Sequence, residues 1–236
     1  MNKAWVVAQK ELAGYFRSPL AYIILVITIS IFNVFFFMII DQNREASLRD
    51  MFRLMEFLFV FIVPLLTMKA FAEEKTSGTM EFLLTAPVRK VTIVWGKYLG
   101  SLLFFTILIL LTTSYYFIIE AYAQPDRAAI WTGYFGIWLE GALFLAIGLM
   151  ASSWTRSQTA AAIGAYAIIF MLYFAFSFAQ YTDGITEAVI RYLSTMTHLE
   201  NFIAGVVNIS DFVYYVSGIA VCLFLTRIFI DTNLWE

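Results

Sequence analysis

Six runs of apolar residues, each about twenty long, constrain this chain more than any other feature. A helix of that length crosses about 30 Å of hydrocarbon. The runs fall at about 20–40, 54–72, 96–119, 130–151, 159–179 and 212–230. Between them the chain is 61% apolar and 14% charged, where a soluble domain has about half and a quarter. The spacing predicts an all-α polytopic membrane protein whose six crossings leave too few residues for a soluble domain, so 1–236 reads as one transmembrane domain. The first run is too long for a signal peptide and no small-residue cleavage pattern precedes the loop after it, so it is expected to be retained.

Lys and Arg placement sets the expected orientation. One side carries Lys3, Lys10, Arg17, Lys69, Lys75, Arg89, Lys90, Lys97, Arg156 and Arg227; the other carries Arg44, Arg49, Arg53, Arg127 and Arg191. The ten-residue side is expected to be cytoplasmic, with both termini there. Residues 2–18 read as a surface helix, with Trp5, Ala8, Leu12, Tyr15 and Phe16 on one stripe and Lys3, Lys10 and Arg17 on another face. Residues 180–211, on the outer side, show helical spacing twice: Ile185, Val189, Leu193 and Met196, then Leu199, Phe202, Ile203 and Val206. Two short helices are predicted there, lying in the interface or dipping into the bundle.

Within the spans, Gly141, Ala142, Ala146, Gly148 and Ser152, and then Ala160, Ala161, Ala162, Gly164 and Ala165, offer small faces for close helix packing. They serve either packing inside the chain or a contact with a second copy. Glu140 reads as the only acid near the middle of a span, a costly position that is either functional or held by nearby hydroxyls. Asn33 is a weaker intramembrane polar candidate. Pro64 places a kink in the second run that neighbours must satisfy.

The stretch from Phe71 to Lys90, FAEEKTSGTMEFLLTAPVRK, is the longest charged interval between two apolar runs on one side. Thr79 is suited to cap a short helix, and Glu81 sits in its first turn. Met80, Leu83 and Leu84 share a face, and Pro87 ends the element. Two turns cannot fold alone. They must lie against the chain, the membrane surface or another protein, and the last is the reading taken here. No phosphate-binding loop and no H-E-x-x-H motif occurs. One His and one Cys assemble no metal cluster, no catalytic constellation is visible, and a net charge of −2 gives no reason to expect nucleic acid.

The run Glu73-Glu74-Lys75-x-x-Gly78-Thr79-Met80-Glu81-Phe82-Leu83-Leu84-Thr85-Ala86-Pro87-Val88 resembles the signature of type-2 ABC exporter permeases. Gly96-Lys97-x-Leu99-Gly100, Ala151-Ser152-Ser153-x-Thr155-x-x-Gln158 and His198-x-x-Asn201-Phe202-x-x-Gly205-Val206 with Asp211 are similar to that family as well. The resemblance covers nearly the whole chain and is nearest to the short permeases associated with gliding motility. It implies a surface helix at the cytoplasmic face and a permease of the bacterial inner membrane that pairs with a second permease copy. It also implies a separate ABC ATPase subunit that binds ATP and Mg, this chain binding neither. The helix from Gly78 to Leu84 would then be a coupling helix, with Met80, Leu83 and Leu84 as an apolar plug and Glu73, Glu74 and Glu81 as its charged rim. Thr155, Arg156 and Gln158 would form a second, smaller cytoplasmic contact. Two other readings stay open: a force-transmitting membrane anchor of an ATPase-driven envelope machine, and an ion-coupled secondary transporter with Glu140 as its ion site.

Overall fold

The computed structural model describes residues 3–43, 45–80 and 89–232, and every regular element among them is a helix. In chain order these are α1 (Lys3–Arg17), α2 (Pro19–Asn43), α3 (Arg49–Thr67), α4 (Ala72–Thr76), α5 (Lys90–Thr112), α6 (Ser114–Tyr122), α7 (Arg127–Trp154), α8 (Gln158–Ala179), α9 (Ile185–Leu193), α10 (Thr195–Ile203) and α11 (Ile209–Thr232). Six stretches are long and apolar enough to cross a bilayer: Pro19–Gln42, Arg49–Thr76, Lys90–Tyr122, Arg127–Trp154, Gln158–Ala179 and Ile209–Asp231. They match the six expected runs and overshoot several of them by a turn or two. The overshoot is helical backbone led by Arg49, Lys90 and Arg127.

α7 is the centre of the bundle. Of its apolar stretch 89% is buried, against 17% for the peripheral α2. Its glycines explain why neighbours come so close. A Cβ on Gly148 would lie 1.9 Å from Thr67 Oγ1, and one on Gly141 would lie 2.1 Å from the Phe105 ring. Gly133 is closed in the same way by Phe52 at 2.3 Å. Gly141, Ala142, Ala146, Gly148 and Ser152 are all buried within this chain. The α7 part of the small-residue face therefore packs internally, leaving Ala160 on α8 exposed.

α1 does more than lie on a surface. Gly96 and Gly100, four apart on α5, form a slot for it, where Cβ atoms would come within 2.5 Å of Val7 and 2.6 Å of Glu11. The stripe expected on α1 divides: Ala8 is fully buried, while Trp5 and Phe16 stay exposed. Tyr15 stacks on Phe104 with ring centroids 4.9 Å apart. Its hydroxyl donates to Leu66 O at 3.1 Å and lies 3.0 Å from Ser101 Oγ. Burial pushes its phenol pKa up to about 12, so the group stays a hydrogen-bond donor.

The third crossing is two helices. At Thr112, Thr113 and Ser114 three successive hydroxyls donate to carbonyls three residues back, at 2.7, 2.7 and 2.9 Å. Such side chains compete with the helix ladder. The Tyr116 amide turns to Thr113 O, and the Thr112 carbonyl is taken instead by the Tyr134 hydroxyl at 2.7 Å. α3 continues through Pro64, and Tyr166 donates to Phe61 O at 2.8 Å, beside the carbonyls that proline loosens.

The segment between the last two crossings holds two short helices. α9 has no buried residue, whereas α10 buries Thr195, His198, Leu199, Phe202 and Ile203. α10 runs antiparallel to α7, and the contacts trace its course. Thr195 stands beside Glu140, Phe202 and Leu199 fill the notch at Gly136, and Gly205 touches Ala129. The amino end of α10 is therefore the deep end.

Candidate functional site

At the end of the bundle that carries the ten basic residues, α4 leaves α3 after one turn. Phe71 caps α4 without a side-chain bond of its own. Ser152, at the far end of α7, caps it from a distance: its Oγ accepts from the Phe71 and Ala72 amides at 3.0 and 3.1 Å and lies 3.1 Å from Met68 O, to which it donates. Two of the unpaired amides at this helix start are thereby satisfied by another crossing. Lys75 Nζ donates to Ser153 O, and the Thr76 hydroxyl donates to Arg156 O. The two contacts expected separately are thus joined through their described residues, α4 on one side and Ser152 to Arg156 on the other. Arg156 is exposed beside it, and Thr155 Oγ1 accepts from the Ser157 amide at 3.1 Å.

A second joint ties α4 to α1 and α5. Lys97 is only 2% exposed and reaches Glu11 at 2.9 Å and Glu74 at 2.8 Å. Its ammonium also lies 5.2 Å from the centre of the Phe71 ring, a cation–π distance. Glu74 was expected on an outward rim; here its carboxylate turns inward to Lys97, while Glu73 stays exposed. Periodicity could not find this pairing, because its partners lie 86 and 23 residues apart. A cleft of about 410 Å³ opens beside it, lined by residues that include Tyr15, Leu66, Lys69, Glu73 and Lys97.

Gly78 has φ +72° with open space around it. The glycine is needed for the left-handed turn and not for room. Ser77 Oγ and Thr79 Oγ1 lie 2.8 Å apart beyond the end of α4, and Thr79 donates to Glu74 O at 3.4 Å. Met80 is 8% exposed and joins the chain's own hydrophobic core. Its expected place in an outward plug is therefore corrected: the chain re-enters the core at Met80 directly after the Gly78 turn. Glu81, Leu83, Leu84 and Pro87 lie outside the described residues.

Deeper in the bundle, Glu140 is fully buried and neither carboxylate oxygen has a hydrogen-bond partner. It faces the interior of this chain, close to Thr195 and to Glu56. Glu56 is a second intramembrane acid, 2% exposed, that the sequence reading passed over. The second run was taken to begin at 54, which put Glu56 at its edge. The helix begins at Arg49, so Glu56 lies two turns in. Asn33 Oδ1 accepts from the Tyr115 hydroxyl at 2.8 Å. At the end of the bundle opposite α4, the residues of the His198 motif meet. Asp211 Oδ1 lies 2.7 Å from His198 Nδ1 and its Oδ2 accepts from Asn201 at 2.8 Å, while His198 Nε2 lies 2.8 Å from Tyr192 O. Gly205, with φ +89°, closes that turn against Ala129.

Six crossing helices, an amino-terminal helix wedged on the third, and a short stitched helix between the second and third define a multi-pass membrane protein with a mechanically continuous end. The chain belongs to the ABC-2 family transporter proteins, whose family model matches residues 5–229. That membership makes it a membrane component, the permease, of an ABC transporter. A search of curated proteins gives no match to the chain.

Proposed function

We propose that this chain is the permease subunit of an exporter-type ABC transporter in a bacterial inner membrane, with both termini cytoplasmic, driven by ATP hydrolysed on a separate ATPase. A second permease copy, identical or related, completes the pore. The segment 71–90 is the handle that the ATPase grips, with Leu83 and Leu84 as its apolar contact now that Met80 turns inward. Thr155, Arg156 and Gln158 form the flank of the same handle, and Glu73 and Glu81 its charged rim. The observation that carries this reading is the stitching of α4 to two crossings, α7 and α5, and to α1. Movement of α4 reaches α7 through Ser152 and Ser153, and reaches α5 and α1 through Lys97. The narrower resemblance to motility-associated permeases rests on the sequence motifs and belongs to the same proposal.

Burying two leucines in a partner cleft contributes roughly 1.5–3 kcal/mol each before the costs of association. The test is co-purification of tagged chain with an ABC ATPase from cells expressing both. Leu83→Asp and Leu84→Asp are expected to lose the ATPase while the protein still inserts and folds. A variant that retains the ATPase at wild-type level, or that fails to fold because its leucine faces the chain's own core, would contradict the proposal.

A further inference from the structure

Among the described residues, seven buried side-chain oxygens have no hydrogen-bond partner, and four of them come together where α3, α7 and α10 meet: Glu56 Oε1, both oxygens of Glu140 and Thr195 Oγ1. Glu56 comes from α3, Glu140 from α7, and Thr195 from the first turn of α10. Glu140 and Thr195 are completely buried and Glu56 nearly so. The Thr195 hydroxyl stands by the Glu140 carboxyl, with Glu56 on its other side. Buried polar groups are nearly always paired, so four orphaned oxygens at one place mark a site for something that oxygen atoms bind.

Among the described residues, no cation forms an ion pair with Glu56 or Glu140. Arg53 is the basic group nearest Glu56, but its guanidinium is engaged by Glu200 at 2.6 Å and Asp50 at 3.2 Å near the outer surface. His198 is held by Asp211 and Tyr192 O. The remaining neighbours are phenols, Tyr173, Tyr214 and Tyr215, and Tyr215 already donates to Thr195 O at 3.2 Å. The donors are therefore two carboxylates and neutral hydroxyls, without sulfur or a free imidazole. Hard cations prefer that set, and soft transition metals do not. Two carboxylates also balance two positive charges, which a low-dielectric interior demands.

We propose that Glu56, Glu140 and Thr195 bind a hard divalent cation of the calcium type. α10 closes the site from the outer side. The ion would pin the deep end of α10 to α3 and α7. The proposal is independent of any ATPase docking at the opposite end, so either can fail without the other.

The experiment is thermal unfolding of the purified full chain in nanodiscs, titrated with CaCl2 and, as comparators, MgCl2 and NaCl. Calcium is expected to raise the midpoint saturably. Its apparent affinity is expected to fall at least about tenfold, the scale at which losing even an outer-shell partner acts, in Glu140→Gln and in Thr195→Val. Asp183→Asn, an exposed acid on the same side, is expected to leave it unchanged. Thr195→Val keeps both carboxylates and so decides the matter if Glu140→Gln does not fold. The proposal is overturned if calcium produces no shift, if sodium produces the same shift, or if the shift survives Thr195→Val at full affinity; the oxygens would then be closed by protons or water alone.

Discussion

Ser152→Ala is the perturbation that most sharply probes the stitched end. Ser152 is fully buried, and its single hydroxyl serves two amides and one carbonyl. Phe71 and Ala72, which own those amides, are fully buried too, so water cannot take the lost places. A buried donor left unsatisfied costs about 1–3 kcal/mol, and two of them give about 2–6 kcal/mol, concentrated on α4. Each 1.4 kcal/mol is tenfold in an opening equilibrium. Hydrogen exchange measured by mass spectrometry should therefore show peptides covering Phe71 and Ala72 exchanging at least about tenfold faster in Ser152→Ala, with α7 and α8 protected as before. The exposed control Ser157→Ala, which removes one cap bond to Ala160 at 3.3 Å, is expected to leave these peptides unaffected. Unchanged exchange at Phe71 and Ala72 in Ser152→Ala would refute the remote-cap argument and, with it, the direct mechanical link from α4 to α7.

Lys97→Met cuts both ion pairs while keeping the volume of the stem. The two glutamates are about a fifth exposed, so the cost falls below that of breaking a fully buried pair, at about 1–3 kcal/mol; limited proteolysis should show α1 released from the bundle sooner than in wild type. Gly148→Ala pushes a methyl to within 1.9 Å of the Thr67 hydroxyl, an overpacking expected to cost about 1–3 kcal/mol and to lower the folded yield after detergent extraction, whereas Gly164→Ala, with its nearest neighbour at 3.8 Å, should be tolerated.

The crossings were readable from the sequence because each is a local property: an apolar run of sufficient length is a helix in a bilayer whatever surrounds it. The two short outer helices were readable for the same reason, from helical spacing within thirty or so residues. What escaped notice was long-range. The cap that Ser152 supplies to α4 joins positions 80 residues apart, and the Lys97 pairs join three separate elements. No window on the chain contains them, although Gly96, Lys97, Gly100 and Ser152 were all singled out as parts of motifs. The break at Thr113 was local and legible in principle, in the run Thr112-Thr113-Ser114, but apolar length masked it. Glu56 was hidden by a boundary placed five residues late. Met80 shared a helical face with Leu83 and Leu84, and spacing alone could not tell which side of the Gly78 turn faces inward.

The central claim is that a separate ATPase grips the segment that follows α4. A photo-activated crosslinking residue placed singly at Met80, at Leu84 and at Arg156, in cells that also express an ABC ATPase, tests it most directly. The account predicts an ATPase adduct from position 84, a weaker one from 156, and none from the buried position 80. Adducts from position 84 to this chain's own helices alone, with no ATPase captured, would contradict it.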